Sequence, residues 1–215
     1  MKKSELKEIF KVLKEEVKQW KQPVVGAAYR DPFKILIATI LSLRTKDSVT
    51  EDASDRLFSL AETPEKMITL EPEIIEKAIY PVGFYKRKAI NILEICKLLL
   101  DKYDGKVPDD LDELLKIKGV GRKTANLTIT LGYNKLGICV DIHVHRITNR
   151  WGYVKTNVPD ETEMELRKIL PEEYWLEIND LLVCYGQNLC KPISPFCSKC
   201  KINDYCKKVG VDKYR

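Results

Sequence analysis

Three groups of residues in this chain have types and spacings that could do chemistry. The first is the cysteine set Cys190, Cys197, Cys200 and Cys206, arranged as Cys-x6-Cys-x2-Cys-x5-Cys. Four thiolates satisfy one tetrahedral zinc ion or one iron–sulfur cluster. The common structural zinc pattern pairs two Cys-x2-Cys knuckles across a longer spacer. Here one knuckle exists and the four thiols lie along one short loop, which must wrap around something; Pro192 and Pro195 suit a rigid wrap. The second group is Lys118-Gly119-Val120-Gly121-Arg122-Lys123-Thr124-Ala125. An apolar helical turn runs into two glycines, and a new helix opens at Arg122. Glycine lets a backbone turn tightly and come close to another molecule. Amides at a helix start lack intrahelical partners and, with the helix dipole, attract an anion such as a phosphate. Lys118, Arg122 and Lys123 add positive charge beside them. The third group is Val140-Asp141-Ile142-His143-Val144-His145-Arg146. Asp141 stands where a helix should begin, and Asp is among the best N-caps. A capping carboxylate is fixed in place and can also face a cleft. His143 and His145 are two residues apart, do not share a helix face, and read as polar packing groups.

The elements that must position these groups are helical. Apolar residues at Leu6, Ile9, Phe10, Leu13 and Val17 predict an amphipathic helix over 4–18. Asp31-Pro32 reads as an N-cap and first-turn proline of a helix through Ile35, Leu36, Ala38, Ile40 and Leu41. That helix is apolar nearly all round and should form the centre of its domain. Asp47 is read as the cap of the next helix, to Leu60. Thr63-Pro64 and Glu71-Pro72 start two short ones. Gly83 precedes a long helix with Ala89, Ile92, Leu93, Cys96, Leu99 and Leu100 on one face. Further helices are predicted over 110–116, 122–131, 141–151, 160–169 and 174–189. Leu136–Val140 reads as an extended connection, and Cys96, Cys139 and Cys184 fall in apolar patterns as core residues. The fold class is therefore all-α.

Composition bounds the rest. The chain has 215 residues, room for one large domain or two small ones. It carries 37 Lys and Arg against 32 Asp and Glu, a net +5 that permits a polyanionic partner without demanding one. Basic residues gather at Tyr85-Lys86-Arg87-Lys88 and after Lys191. Seven cysteines, an odd number, without an apolar signal core at the start, fit a reducing compartment and not a disulfide framework. No run of about 18 apolar residues exists, so no membrane span is expected.

Together these motifs resemble the endonuclease III family of DNA glycosylases, in the helix-hairpin-helix superfamily. The resemblance covers nearly the whole chain. It includes Leu41-Ser42-Leu43-Arg44-Thr45-Lys46-Asp47, Gly83-Phe84-Tyr85-Lys86-Arg87-Lys88-Ala89, the glycine hairpin, the run from Val140 to His143, and the cysteine spacing. It implies two helical lobes with a DNA-binding cleft. Residues 26–135 would form a lobe carrying the hairpin; residues 1–25 and 136–215 would form a cluster-binding lobe. It implies that Cys190, Cys197, Cys200 and Cys206 hold a [4Fe-4S] cluster and not zinc, that Lys123 is the catalytic lysine, and that Asp141 is the catalytic aspartate. Relatives that remove adenine or mismatched thymine lack a lysine at position 123. Its presence implies excision of oxidised pyrimidines such as thymine glycol from duplex DNA, followed by strand cleavage at the abasic site. Implied DNA contacts are Arg44, Phe84, Lys86, Lys88, Lys118, Gly119, Val120, Gly121, Arg122 and Lys191, with Lys199 and Lys201 also presented to phosphates. Phe84 stands at the family's wedge position. Bacterial enzymes carry Ser-Ala-Gln where this chain has Ser42-Leu43-Arg44, so a cationic planar group stands where the gap-filling amide would be. A monomer in the cytoplasm, associated with the nucleoid, completes the expectation. Two other classes remain on the residues alone: a non-enzymatic helix-hairpin-helix DNA-binding module, and a zinc-stabilised scaffold.

Overall fold

The structure is a computed structural model that describes residues 3–21, 23, 25 and 28–215. The lobe boundary expected at Gly26 lies outside the described residues. Among the described residues there is no strand, and no helix is long and apolar enough to cross a membrane. The helices are α1 (Lys3–Glu16), α2 (Pro32–Ser42), α3 (Asp47–Leu60), α4 (Pro64–Met67), α5 (Pro72–Ile79), α6 (Tyr85–Tyr103), α7 (Leu111–Leu115), α8 (Arg122–Leu127), α9 (Ile142–Trp151), α10 (Pro159–Ile169) and α11 (Ile178–Asn188). The chain divides into two compact units, Val24–Gly137 and Met1–Pro23 with Ile138–Arg215.

The unit Val24–Gly137 is built around α2. Asp31 starts it by accepting the Lys34 amide at 2.9 Å, and Pro32 occupies the first turn, where its missing N–H costs nothing. Phe33 and every residue from Ile35 to Leu41 are buried. Helices α3, α6 and α8 pack on it, so apolar residues on nearly every side of α2 find partners. Each such Ile or Leu contributes about 1.5–3 kcal/mol by leaving water. The start of α3 differs from expectation: Lys46 is the N-cap and Asp47 is the first helical residue. A carboxylate in the first turn still complements the helix dipole. Along α6 the buried stripe is Lys88, Ala89, Ile92, Ile95, Cys96 and Leu99, a 3–4 spacing whose first member is a lysine.

In the other unit, α1 buries Leu6, Ile9, Phe10 and Leu13. Phe10 stacks on Tyr174 with ring centroids 4.0 Å apart. Helices α9 and α11 pack together and complete this core with Val144, Ile147, Trp151, Leu181, Leu182 and Tyr185. A single 3-10 turn, Glu172–Tyr174, precedes α11, which starts at Ile178, later than the periodicity suggests. After Asn188 regular structure nearly stops. The cysteine loop contains two single 3-10 turns, Cys197–Lys199 and Asn203–Tyr205.

Candidate functional site

The hairpin grows from α7, whose start is capped by Asp110 accepting the Asp112 and Glu113 amides at 3.0 Å each. Ile117 and Val120 are buried and anchor the turn. The Val120 side chain plugs the core, and its amide closes the turn on Ile117 O at 3.0 Å. The two glycines differ in kind. Gly119 has φ +87°, and a Cβ there would lie 2.4 Å from the Asn91 amide nitrogen. The left-handed turn requires glycine, and a side chain there would also displace the Asn91 amide. Gly121, the N-cap of α8, has φ −92° and ψ 174°, a conformation open to any residue, and a Cβ there would meet nothing within 4 Å. Nothing inside the described protein requires a bare backbone at Gly121. It lies beside an open helix start, with Arg122 and Lys123 half-buried in the first turn. Behind them Thr124, Ala125, Asn126 and Leu127 are buried, and α8 continues as a π-turn over Thr128–Gly132. Lys118 is exposed and pairs with Glu94 at 3.1 Å.

Asp141 belongs to the other unit. It is 7% exposed and caps α9: its Oδ1 accepts the His143 amide at 2.8 Å and the Val144 amide at 3.0 Å. The carboxylate is therefore held in one orientation. His145 Nδ1 meets Thr162 Oγ1 at 2.7 Å, and His143 Nδ1 meets Arg146 at 3.0 Å. Both histidines are tied into polar packing. Burial pushes the His145 imidazole below its usual range.

Arg44 and Phe84 come together. Both hold left-handed backbone conformations, with φ 56° and 59°. A non-glycine residue held there costs about 1–3 kcal/mol and persists only where its surroundings enforce it. The Arg44 guanidinium lies 5.5 Å over the Phe84 ring. Phe84 is 62% exposed, so it is not a core residue. Lys86 is exposed. Lys88 is a correction. It was expected to reach DNA, yet it is 8% exposed, and its ammonium donates to Leu41 O at 2.9 Å and Leu43 O at 2.6 Å. Burial pushes its pKa down to about 8. A charge enclosed by its own fold cannot be offered to a phosphate.

The four cysteines Cys190, Cys197, Cys200 and Cys206 line one small pocket with Arg150, Tyr185, Leu189 and Phe196. None is in a disulfide. Among the described residues no three His, Cys, Asp or Glu groups converge as they would on a single ion. The chain already aims donors at the sulfurs. Arg150 Nη1 donates to Cys190 Sγ at 3.3 Å, and Tyr185 Oη lies 3.2 Å from Cys200 Sγ. Burial raises the Tyr185 hydroxyl far above its ordinary pKa, which keeps it a protonated donor. Arg150 also donates to Lys191 O and Pro192 O, both at 2.7 Å, and Arg146 to Cys190 O. These two anchors were missed in the sequence, although their i, i+4 spacing on the helix after Asp141 was a readable signal. Lys191 and Lys199 lie over the Phe196 ring at 5.9 and 5.8 Å. Lys201, itself exposed, pairs with buried Glu16 at 2.6 Å, which ties the loop to α1.

Comparison with known proteins gives the family. A family profile, "HhH-GPD superfamily base excision DNA repair protein", matches residues 37–172. Endonuclease III of Thermotoga maritima is 48% identical over 177 residues, which are 82% of this chain and 83% of that protein. Endonuclease III homolog 2, chloroplastic, of Arabidopsis thaliana is 44% identical over 81% of this chain, which spans 47% of that longer protein. A solved structure of a trapped endonuclease III–DNA covalent intermediate matches with a TM-score of 0.83 and 36% identity, covering 94% of this chain and 95% of that one. With its hairpin, its capped aspartate and its cysteine pocket, the chain belongs to the endonuclease III family of the HhH-GPD superfamily of base excision DNA repair proteins.

Proposed function

We propose that the protein removes oxidised pyrimidines such as thymine glycol from damaged duplex DNA and nicks the strand at the resulting abasic site, with Lys123 as nucleophile. The broad activity, a bifunctional DNA glycosylase and abasic-site lyase of base excision repair, is that of its family. A damaged base is hidden in the stack and must be turned out before its glycosidic bond can be reached, at a cost of a few kcal/mol. Arg44 and Phe84 occupy the gap that the nucleotide leaves; insertion of apolar side chains between base steps is a general way to hold kinked DNA. The hairpin backbone at Gly119 and Gly121 takes a phosphate with charge from Lys118 and Arg122, and Lys86 and Lys191 meet phosphates of the same duplex.

The neutral amine of Lys123 attacks C1′ of the damaged nucleotide, forming a carbon–nitrogen bond as the base leaves with the bonding pair and takes up a proton. Asp141 accepts a proton and stabilises positive charge developing on the sugar. The sugar ring opens to an imine on Lys123. Loss of a C2′ proton then expels the 3′ phosphate, and water hydrolyses the imine to free the enzyme. The feature that carries this reading is the bare backbone at Gly121 followed two residues on by Lys123, in the first turn of α8. Borohydride trapping tests it. The wild type should form a stable amine with abasic DNA, visible as a slow band on a denaturing gel, and Lys123→Gln should not.

Cys190, Cys197, Cys200 and Cys206 would hold a [4Fe-4S] cluster. Four thiols outside any disulfide around one pocket suit it, with Arg150 and Tyr185 directed at sulfur. Bound there, it would supply cross-links among four points of a loop with little structure of its own. Iron and sulfide analysis with the visible spectrum distinguishes it from zinc, since only the cluster gives a yellow-brown protein. The protein acts as a monomer in the cytoplasm, at the nucleoid.

A further inference from the structure

Among the described residues, the partners of the Lys88 ammonium are three oxygens without formal charge: Leu41 O at 2.9 Å, Leu43 O at 2.6 Å and Thr45 Oγ1 at 3.4 Å. The two carbonyls lie at the C-terminal end of α2, where carbonyls lack intrahelical partners and the dipole favours a cation. Arg44 follows directly, in its left-handed conformation. Thr45 continues the stitch: its hydroxyl accepts the Gly83 amide at 3.2 Å and lies 3.3 Å from Leu43 O. Gly83 precedes Phe84, and the Lys88 amide donates to Phe84 O at 3.0 Å. Lys88 thus touches, directly or through Thr45, both of the unfavourable backbone positions that bring Arg44 and Phe84 side by side. A buried ammonium without a carboxylate is costly, and solvent exposure of the side chain would remove that cost. Its burial has a use if the Arg44 and Phe84 turns must be held in register.

We propose that Lys88 is a positioning residue for the Arg44–Phe84 pair, splinting the end of α2 to the start of α6 so that the pair enters duplex DNA as one rigid unit. This rests on the reading of that pair as the gap-filling element. The requirement is specific to duplex substrates, because single-stranded abasic DNA has no opposing base and no gap to fill.

Lys88→Met, Phe84→Ala and the double variant test the proposal on a thymine glycol duplex and on single-stranded abasic DNA. Lys88→Met should slow duplex excision about tenfold and leave single-strand cleavage within about twofold. In the Phe84→Ala background it should cost less than about twofold more, because two residues acting as one unit are not additive. A 4-fluorophenylalanine label at position 84, read by fluorine NMR without DNA, should broaden or split in Lys88→Met. If Lys88→Met does not fold, Thr45→Val removes one hydroxyl of the same splint and should show a weaker form of each effect. Equal losses on both substrates, full additivity with Phe84→Ala, or an unchanged fluorine resonance would overturn the proposal. If Phe84→Ala itself has no effect on the duplex, the gap-filling reading fails, and the fluorine resonance alone decides whether Lys88 positions the pair.

Discussion

The turn at Lys116–Gly121 and the loop from Cys190 to Cys206 are both short stretches with little regular structure, and they are held by opposite means. The hairpin turn is closed by its own backbone: the Lys116 amide bonds to Glu113 O, that of Ile117 to Leu114 O, and that of Val120 to Ile117 O. Ile117 and Val120 sink beneath it into an apolar core. The cysteine loop rests on side chains from elsewhere. Arg150 and Arg146 hold its carbonyls, Lys201 reaches Glu16, and its thiols surround a pocket. A turn closed by amides and aliphatic plugs keeps its shape whichever polar side chain it displays. A loop held by ions and thiols loses shape with each ligand. Activity and stability should therefore separate in the first region and fail together in the second.

Lys123→Gln gives the sharpest separation. Imine trapping and strand cleavage should fall to background while the melting temperature and DNA binding stay near wild type; trapping at wild-type levels would place the nucleophile elsewhere. Asp141→Asn comes next. Asn accepts the same two amide hydrogen bonds and is an equally good cap, so stability should hold while base removal slows by about 10²–10⁴-fold, measured in single turnover. Cys200→Ala should do the reverse. With the proposed cluster bound, one missing ligand opens its site and leaves Tyr185 Oη without its sulfur, so visible absorption and thermal stability should drop together; a stable, colourless variant with full DNA affinity would break the comparison. Phe84→Ala should reduce activity on duplex lesions with a stability change within about 0.5 kcal/mol, against about 3–5 kcal/mol for a core phenylalanine, as read by denaturant melts.

The smallest expected effect is a pH dependence inside the well-packed unit. Burial holds Lys88 at about 8 in the folded protein, below the unfolded value of about 10.4. Between those values the unfolded chain binds more protons, so this residue's contribution makes stability rise with pH across that window. Urea melts of wild type and Lys88→Met at about pH 7.5 and 10 should differ in this sense.

Much of the candidate site was legible because its signals are local. The Asp31-Pro32 cap, the apolar girth of α2, the two hairpin glycines, the cap at Asp141 and the cysteine spacing each depend on residues a few positions apart. The lysines were not legible in the same way. Tyr85-Lys86-Arg87-Lys88 reads as one basic run, yet Lys86 faces water and Lys88 lies one helical turn before Ile92 on the inward stripe. That periodicity was visible, and the net charge of the run concealed it.

Helix content, the caps at Asp31 and Asp141, core faces and the presence of a thiol set followed from sequence alone, since backbone sterics, capping and hydrophobic period act within a turn or two of chain. Tertiary structure alone decided what each charge does. Lys88 meets Leu41 across 47 residues of sequence, and Lys201 meets Glu16 from the opposite end of the chain. A cation is a DNA contact or a buried splint according to the dielectric and the acceptors around it. Local spacing can put a lysine on an inward stripe, but the acceptors it meets there are set by what packs against it in space.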